Sequence, residues 1–127
     1  MTECQARKEI CRIGKSLFER GYVHATAGNI SLRLDQSAGG CYLITPTDAC
    51  LGWLDPARLA RIDAQGQQLS GDPASTTLTW HRCIYQAAIP FDPDTRCVIH
   101  TPCTHCVALS LQAATALCEP THSADPR

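Results

Sequence analysis

The apolar residues near the start of the chain fall at Ala6, Ile10, Ile13, Leu17 and Phe18, the three-and-four spacing that gathers one stripe on one side of an α-helix. Thr2 stands where a side-chain oxygen caps a first turn, and Gly21 where a helix over residues 3–20 stops. The period then changes. Ile30-Ser-Leu-Arg-Leu34 alternates apolar and polar, which predicts a half-buried strand, and Cys41–Thr45 returns after the turn Asp35-Gln-Ser-Ala-Gly-Gly40 as its hairpin partner. Asp55-Pro56 has the cap-then-proline order that opens a short helix. Arg61–Ala64 and Gln67–Ser70, around Gln65-Gly66, predict a second small hairpin.

Beyond Ser70 the pattern becomes helical again. Ser75–Ala88 predicts a helix with Leu78, Ile84, Tyr85 and Ala88 on its inner side. Pro90-Phe-Asp-Pro-Asp94 reads as a loop, Cys97–Thr101 as a short buried strand and Thr104–Ala116 as a further helix. The tail 119–127 is polar and proline-broken, so fraying is expected there. With 127 residues, no repeat and no linker-like tract, a single domain over 1–127 is expected.

Composition changes this picture little. The net charge of −1 gives no electrostatic reason to expect nucleic acid or an anionic membrane as partner. Six of the Lys/Arg against three acids lie in residues 1–34, the solvated face of the first helix. Met1–Ile10 has no apolar core of a signal peptide, and Cys106–Cys118 is too short to span a bilayer, so a soluble, cytoplasmic chain is expected. Nine cysteines, an odd number without secretory context, predict free thiols packed mostly as small buried hydrophobes.

Three hydroxyl-rich turns carry candidate chemistry. In Thr26-Ala-Gly-Asn-Ile-Ser31, Gly28 permits a backbone that aims successive N–H groups at one point, with Thr26 and Asn29 adding side-chain donors. Ser75, Thr76 and Thr77 stand at a predicted helix start, where N–H groups lack helical partners and the helix dipole favours an anion. Thr45-Pro-Thr-Asp48 is the third. Each alone reads more readily as a polar turn or cap; together they point to a small phosphorylated ligand. His100 ends a strand, where it serves either as a hydrogen-bonded core residue or as a metal ligand or acid/base. His81, four before Tyr85, reads as a packing residue or a support for groups nearer a ligand. Cys103-Thr-His-Cys106 places two thiols at a helix start, where a thiolate is stabilised, and with His100 they make a possible three-ligand metal site.

The order of these pieces resembles the class II aldolase/adducin family. The carriers are H-A-T-A-G-N-I-S-L-R-L, L-I-T-P-T, L-S-G-D-P-A-S-T-T-L-T-W-H-R-C-I-Y and C-V-I-H-T-P-C-T-H-C-V-A-L-S, which run in that order between Phe18 and about Gln112. The G-N-I-S, T-P-T, L-D-P-A-R-L and S-G-D elements are most similar to the branch of 3-oxo-tetronate 4-phosphate decarboxylases. The resemblance implies an α/β fold, a three-layer α/β/α domain on a largely antiparallel central sheet, here C-terminally shortened. It implies a homo-oligomer, commonly a tetramer, and a phosphorylated sugar or sugar acid as substrate. Phosphate would be held by Thr26, Asn29, Thr47, Ser75 and Thr76, with the Asp48 N–H helping. A divalent metal, usually zinc, would act as Lewis acid in decarboxylation or aldol cleavage.

The sequence departs from that pattern at the chemical groups. Thr77 occupies the family's acid/base glutamate position, and a hydroxyl does not exchange a proton near neutral pH. The H-x-H pair of metal ligands reads His100-Thr-Pro102, so a proline replaces the second imidazole, and the third histidine belongs to a region beyond this sequence. His100 is the surviving ligand, with Cys103, His105 and Cys106 as alternative ligands. Three functions therefore follow as expectations: a metal-dependent carbon–carbon lyase with weakened activity, a non-catalytic phosphate-binding or assembly subunit, and a zinc or redox module around Cys103 and Cys106.

Overall fold

Helix α1 (Glu3–Glu19) opens on the reciprocal cap that its sequence allows: Thr2 Oγ1 accepts from the Gln5 N–H at 3.2 Å while Gln5 Oε1 accepts from the Thr2 N–H at 2.8 Å. Its buried stripe is Ala6, Ile10 and Gly14. Gly14 lets the helix sit on the 3₁₀ turn Leu51–Trp53, since a Cβ there would lie 2.7 Å from the Leu51 carbonyl oxygen. Arg7 Nη1 then donates to Pro56 O at 2.8 Å and to Leu59 O at 3.2 Å, tying the helix to the short 3₁₀ helix Pro56–Arg58. Asp55 caps that helix as expected, accepting from the Ala57 N–H at 2.9 Å.

The computed structural model describes residues 1–118, so the expected fraying of 119–127 lies outside the described residues. Its sheet has five antiparallel strands, β1 (Asn29–Arg33), β2 (Tyr42–Ile44), β3 (Ala60–Ile62), β4 (Gln68–Ser70) and β5 (Cys97–His100), ordered β4-β3-β2-β1-β5. Both expected hairpins are present, the second with a register shift at Arg61/Ile62. Side-chain alternation separates two cores. Ile30, Leu34 and Leu43 pack with Ala6 and Ile10 of α1, while Ile44, Ala60 and Ile62 pack with Leu78 of α2 (Leu78–Ala88). The result is helix, sheet and helix in three layers.

Several expectations need correction. The first strand is not half-buried: Asn29, Ile30 and Ser31 are all buried, because helices cover both faces. The last strand, β5, is not fully buried. It is a sheet edge where only Val98 is enclosed and Ile99 is 46% exposed. Helix α2 begins at Leu78 rather than Ser75, and Ile84 faces solvent because its stripe is set by His81 and Tyr85. Cysteine burial fails as a rule, since Cys41 alone is buried among the eight described free thiols. Helix α3 (Thr104–Cys118) lies exposed over residues 104–115, including Val107, Leu109 and Leu111. Among the described residues no helix is long and apolar enough to cross a membrane.

Between the sheet and α2 lies a polar centre rather than a hydrophobic one. His81, 2% exposed, is held against Ser31 and Asn29 of β1, and its pKa is pushed down from 6.5 to about 4, chiefly by burial and then by His100. The sign follows. Between pH 6.5 and about 4 the unfolded chain takes up a proton that the folded chain refuses, so acidification favours unfolding. His81 should cost the native state about 3 kcal/mol across that window, read as the wild-type minus His81→Gln difference in urea-unfolding free energy against pH. Gly14→Ala tests the α1 contact. Helix propensity favours alanine by about 1 kcal/mol, but the backbone clash should outweigh it and leave the variant about 1–2 kcal/mol less stable in the same assay.

Candidate functional site

The start of β1 and the end of β5 meet at one end of the sheet, where Asn29 and His100 are register partners. The turn after β2 joins them. Thr45 N donates to Ile30 O at 3.0 Å, and the Ile30 N–H reaches Thr45 Oγ1 at 3.2 Å. The segment before α2 runs alongside this turn: Ser75 N donates to Thr45 O at 3.1 Å, Thr47 N to Pro73 O at 2.9 Å, and Pro46 bridges Ala74. Gly28 makes the entry into β1 possible. Its φ of +85° suits glycine, and a Cβ would lie 2.8 Å from Val23 Cγ1 and 3.1 Å from His100 O. The three hydroxyl-rich stretches, distant in sequence, thus converge beside His100.

A chain of polar contacts runs from the interior to this end. Tyr85 OH lies 2.9 Å from Ser31 Oγ, and Ser31 Oγ lies 2.6 Å from His81 Nδ1. His81 Nε2 meets Asn29 Oδ1, and Asn29 Nδ2 lies 3.3 Å from His100 Nδ1. Burial raises the Tyr85 pKa far above its ordinary value, so the phenol stays protonated. Trp80 stands edge-on to His100, with ring centroids 6.3 Å apart. Ser31 and Tyr85 were not legible as site residues, although Tyr85 one helical turn after His81 and Ser31 opposite the Ile30/Leu32/Leu34 face carried the signal.

The backbone cradle expected at Ser75–Thr77 is largely consumed inside the fold. Ser75 N is spent on Thr45 O, Thr77 N donates to Ser75 Oγ at 3.3 Å, and Leu78 N donates to Ser75 O at 3.0 Å. The donors that this end of the sheet offers a ligand are therefore chiefly side chains. Thr76 is exposed, whereas Thr77 pairs its hydroxyl with Ser75 Oγ at 2.8 Å. Thr26 lies exposed in the turn closed by Ala27 N on His24 O at 3.0 Å, and Asp48 is exposed with φ of +55°. Thr47 and Asp48 also line an open cavity of about 240 Å³ with Trp53, Arg58 and Asp72.

The metal expectation fares differently. Among the described residues no three His, Cys, Asp or Glu side chains come together, so His100, Cys103 and Cys106 do not form the three-ligand site entertained from sequence. Asn29 is the polar partner that His100 has here, and Pro102, two residues on, carries no metal-ligating group. This donor set does not fit zinc, which takes three or four protein ligands. The Cys103 thiol is held below its ordinary pKa by hydrogen bonds from the Cys106 thiol and N–H and from the His105 N–H, and the same contact raises Cys106.

Comparison with known proteins gives the family. Residues 8–125 match the family described as the class II aldolase and adducin N-terminal domain. A 3-oxo-tetronate 4-phosphate decarboxylase of Cupriavidus necator is 51% identical over 110 residues, 87% of this chain and 47% of that protein. An L-fuculose phosphate aldolase of Methanococcus vannielii is 34% identical over 104 residues, 82% of this chain and 52% of that protein. The crystal structure of YgbL from Escherichia coli superposes with a TM-score of 0.76 at 42% identity, covering 85% of this chain and 49% of that one. The chain spans about half the length of the relatives it matches. With its three-layer fold and the match over nearly its whole described length, the chain belongs to the class II aldolase and adducin family.

Proposed function

We propose that this chain binds the phosphate end of a small phosphorylated sugar acid, as the phosphate-holding part of a class II aldolase-type lyase site. The observation that carries the reading is convergence: Asn29, the Thr45–Asp48 turn and Ser75–Thr76 lie side by side at one end of the sheet. In this reading the Asn29 amide and the hydroxyls of Thr26, Thr47, Ser75 and Thr76 donate to phosphate oxygens, with the Asp48 N–H adding a backbone donor. The names of the relatives support the substrate class, since 3-oxo-tetronate 4-phosphate and L-fuculose phosphate are both phosphorylated, sugar-derived compounds.

Binding and bond cleavage part company in these residues. A decarboxylation or aldol cleavage needs a group that moves a proton and one that stabilises the developing negative charge. Thr77, at the acid/base position, has a hydroxyl engaged with Ser75, and the donors around His100 do not hold a metal. The part played by this chain's residues is therefore retention of the substrate. Assembly with further protein belongs to the same reading, as a homo-oligomer of the family's kind. The open β5 edge and the exposed Val107, Leu109 and Leu111 of α3 support it.

Calorimetric titration separates the reading from its rivals. A four-carbon sugar acid 4-phosphate should bind at least about tenfold more tightly than the same acid without phosphate, and Asn29→Ala should remove most of that difference. Turnover of the bound ligand should be undetectable with this chain. Equal affinity for the two acids contradicts the phosphate assignment, and measurable carbon dioxide release contradicts the retention-only role.

A further inference from the structure

An asparagine amide has nearly the same shape either way round, so the hydrogens around Asn29 decide which end it turns outward. The chain of contacts begins in the core. Tyr85 OH lies 2.9 Å from Ser31 Oγ and 3.3 Å from Arg96 O, and that carbonyl already accepts from Arg33 N at 2.7 Å. A carbonyl oxygen accepts two hydrogens, so the phenol reaches Arg96 O as well as Ser31, and the polarity is fixed from the other end, where Asn29 turns Oδ1 to His81 Nε2 and Nδ2 to His100 Nδ1. Ser31 then gives its own hydrogen to His81 Nδ1 at 2.6 Å. A neutral imidazole whose Nδ1 accepts carries its hydrogen on Nε2, and Nε2 faces Asn29 Oδ1.

We propose that His81 is a positioning residue for the ligand: its Nε2–H pins the Asn29 oxygen inward, so the amide presents its NH2 group to the end of the sheet, and Ser31 with Tyr85 hold the imidazole in that tautomer. One hydrogen of Asn29 Nδ2 goes to His100 Nδ1 at 3.3 Å, and the second is the donor offered to an anion. The opposite polarity of the chain gives the opposite result. With the hydrogen on Nδ1, His81 Nε2 accepts, Asn29 turns its nitrogen inward, and a carbonyl oxygen meets the phosphate. A buried histidine that never touches the ligand thus sets the sign of the contact that does. His81 is suited to this, being fully enclosed and bonded through both ring nitrogens to Ser31 and Asn29. The inference rests on the phosphate-binding reading for the identity of the ligand, though not for the orientation of the amide.

The test uses the 127-residue chain labelled with 15N at histidine and asparagine, with inorganic phosphate as the probe. Ring-nitrogen shifts and couplings in the wild type should report the Nε2–H tautomer for His81, and phosphate should shift the Asn29 side-chain NH2 signal. His81→Phe should weaken phosphate binding about tenfold or more, and His81→Gln, whose amide N–H takes the place of Nε2–H, should restore it to within about threefold. An Nδ1–H tautomer overturns the proposal on the wild-type chain alone, whether or not a variant folds. Unchanged phosphate affinity in His81→Phe overturns it as well. An Nε2–H tautomer with no phosphate response in the wild type upholds the amide orientation and overturns the phosphate-binding reading instead.

Discussion

A neutral imidazole packed between a sheet and a helix is the constraint around which this chain is arranged. His81 is enclosed on the inner face of α2 with Ser31 and Asn29 of β1 as its partners, and a buried polar group costs free energy unless every such bond is made. Satisfying it fixes the distance and register between α2 and the first strand. The same bonds carry the order of the interior to the rim of the sheet, because Asn29 belongs both to the buried chain and to the exposed end. Tyr42 against Tyr85, with ring centroids 5.0 Å apart, closes the neighbouring side of this polar centre. On the other face, the apolar stripe of α1 supplies the bulk of the hydrophobic burial and involves none of the candidate site.

The candidate site is therefore uneven in what it retains. Groups that hold a ligand by hydrogen bonds are supported by the fold: Gly28 shapes the turn beneath His100, and the strand bridge at Pro46 keeps the second turn against Ser75. Among the described residues no three His, Cys, Asp or Glu side chains come together. Thr77 is bonded to Ser75, and His100 is followed by Thr101 and Pro102, neither of them an imidazole. The packing behind the rim depends on His81, Ser31 and Tyr85, whose bonds end on Asn29.

Much of this was legible in the residues. The spacing of Ala6, Ile10 and Leu17 placed α1, the alternation through Ile30–Leu34 placed the first hairpin, and the hydroxyl-rich turns marked the end of the sheet. What escaped the reading was tertiary. The residues Ser75–Thr77 read as a helix start with idle N–H groups, but Ser75 N goes to Thr45 O and Thr77 N to Ser75 Oγ, and the helix starts at Leu78. His81 and Tyr85 lie one helical turn apart, a spacing equally ordinary for packing residues. Only the arrival of Ser31 from a distant strand turns them into a connected chain. Cysteine burial misled for a similar reason: composition suggests burial, whereas position on β5 and α3 decides exposure.

The central claim is that the anion seat lies where β1, β5 and the approach to α2 meet. A crystal structure of this chain with a bound four-carbon sugar acid phosphate tests it most directly. The account predicts a phosphate oxygen within hydrogen-bond reach of Asn29 Nδ2 and of hydroxyls from the Thr45–Asp48 turn and Ser75–Thr76. A phosphate seated instead in the cavity of about 270 Å³ lined by Arg33, Arg96 and Tyr42, at the opposite end of β1, would contradict it.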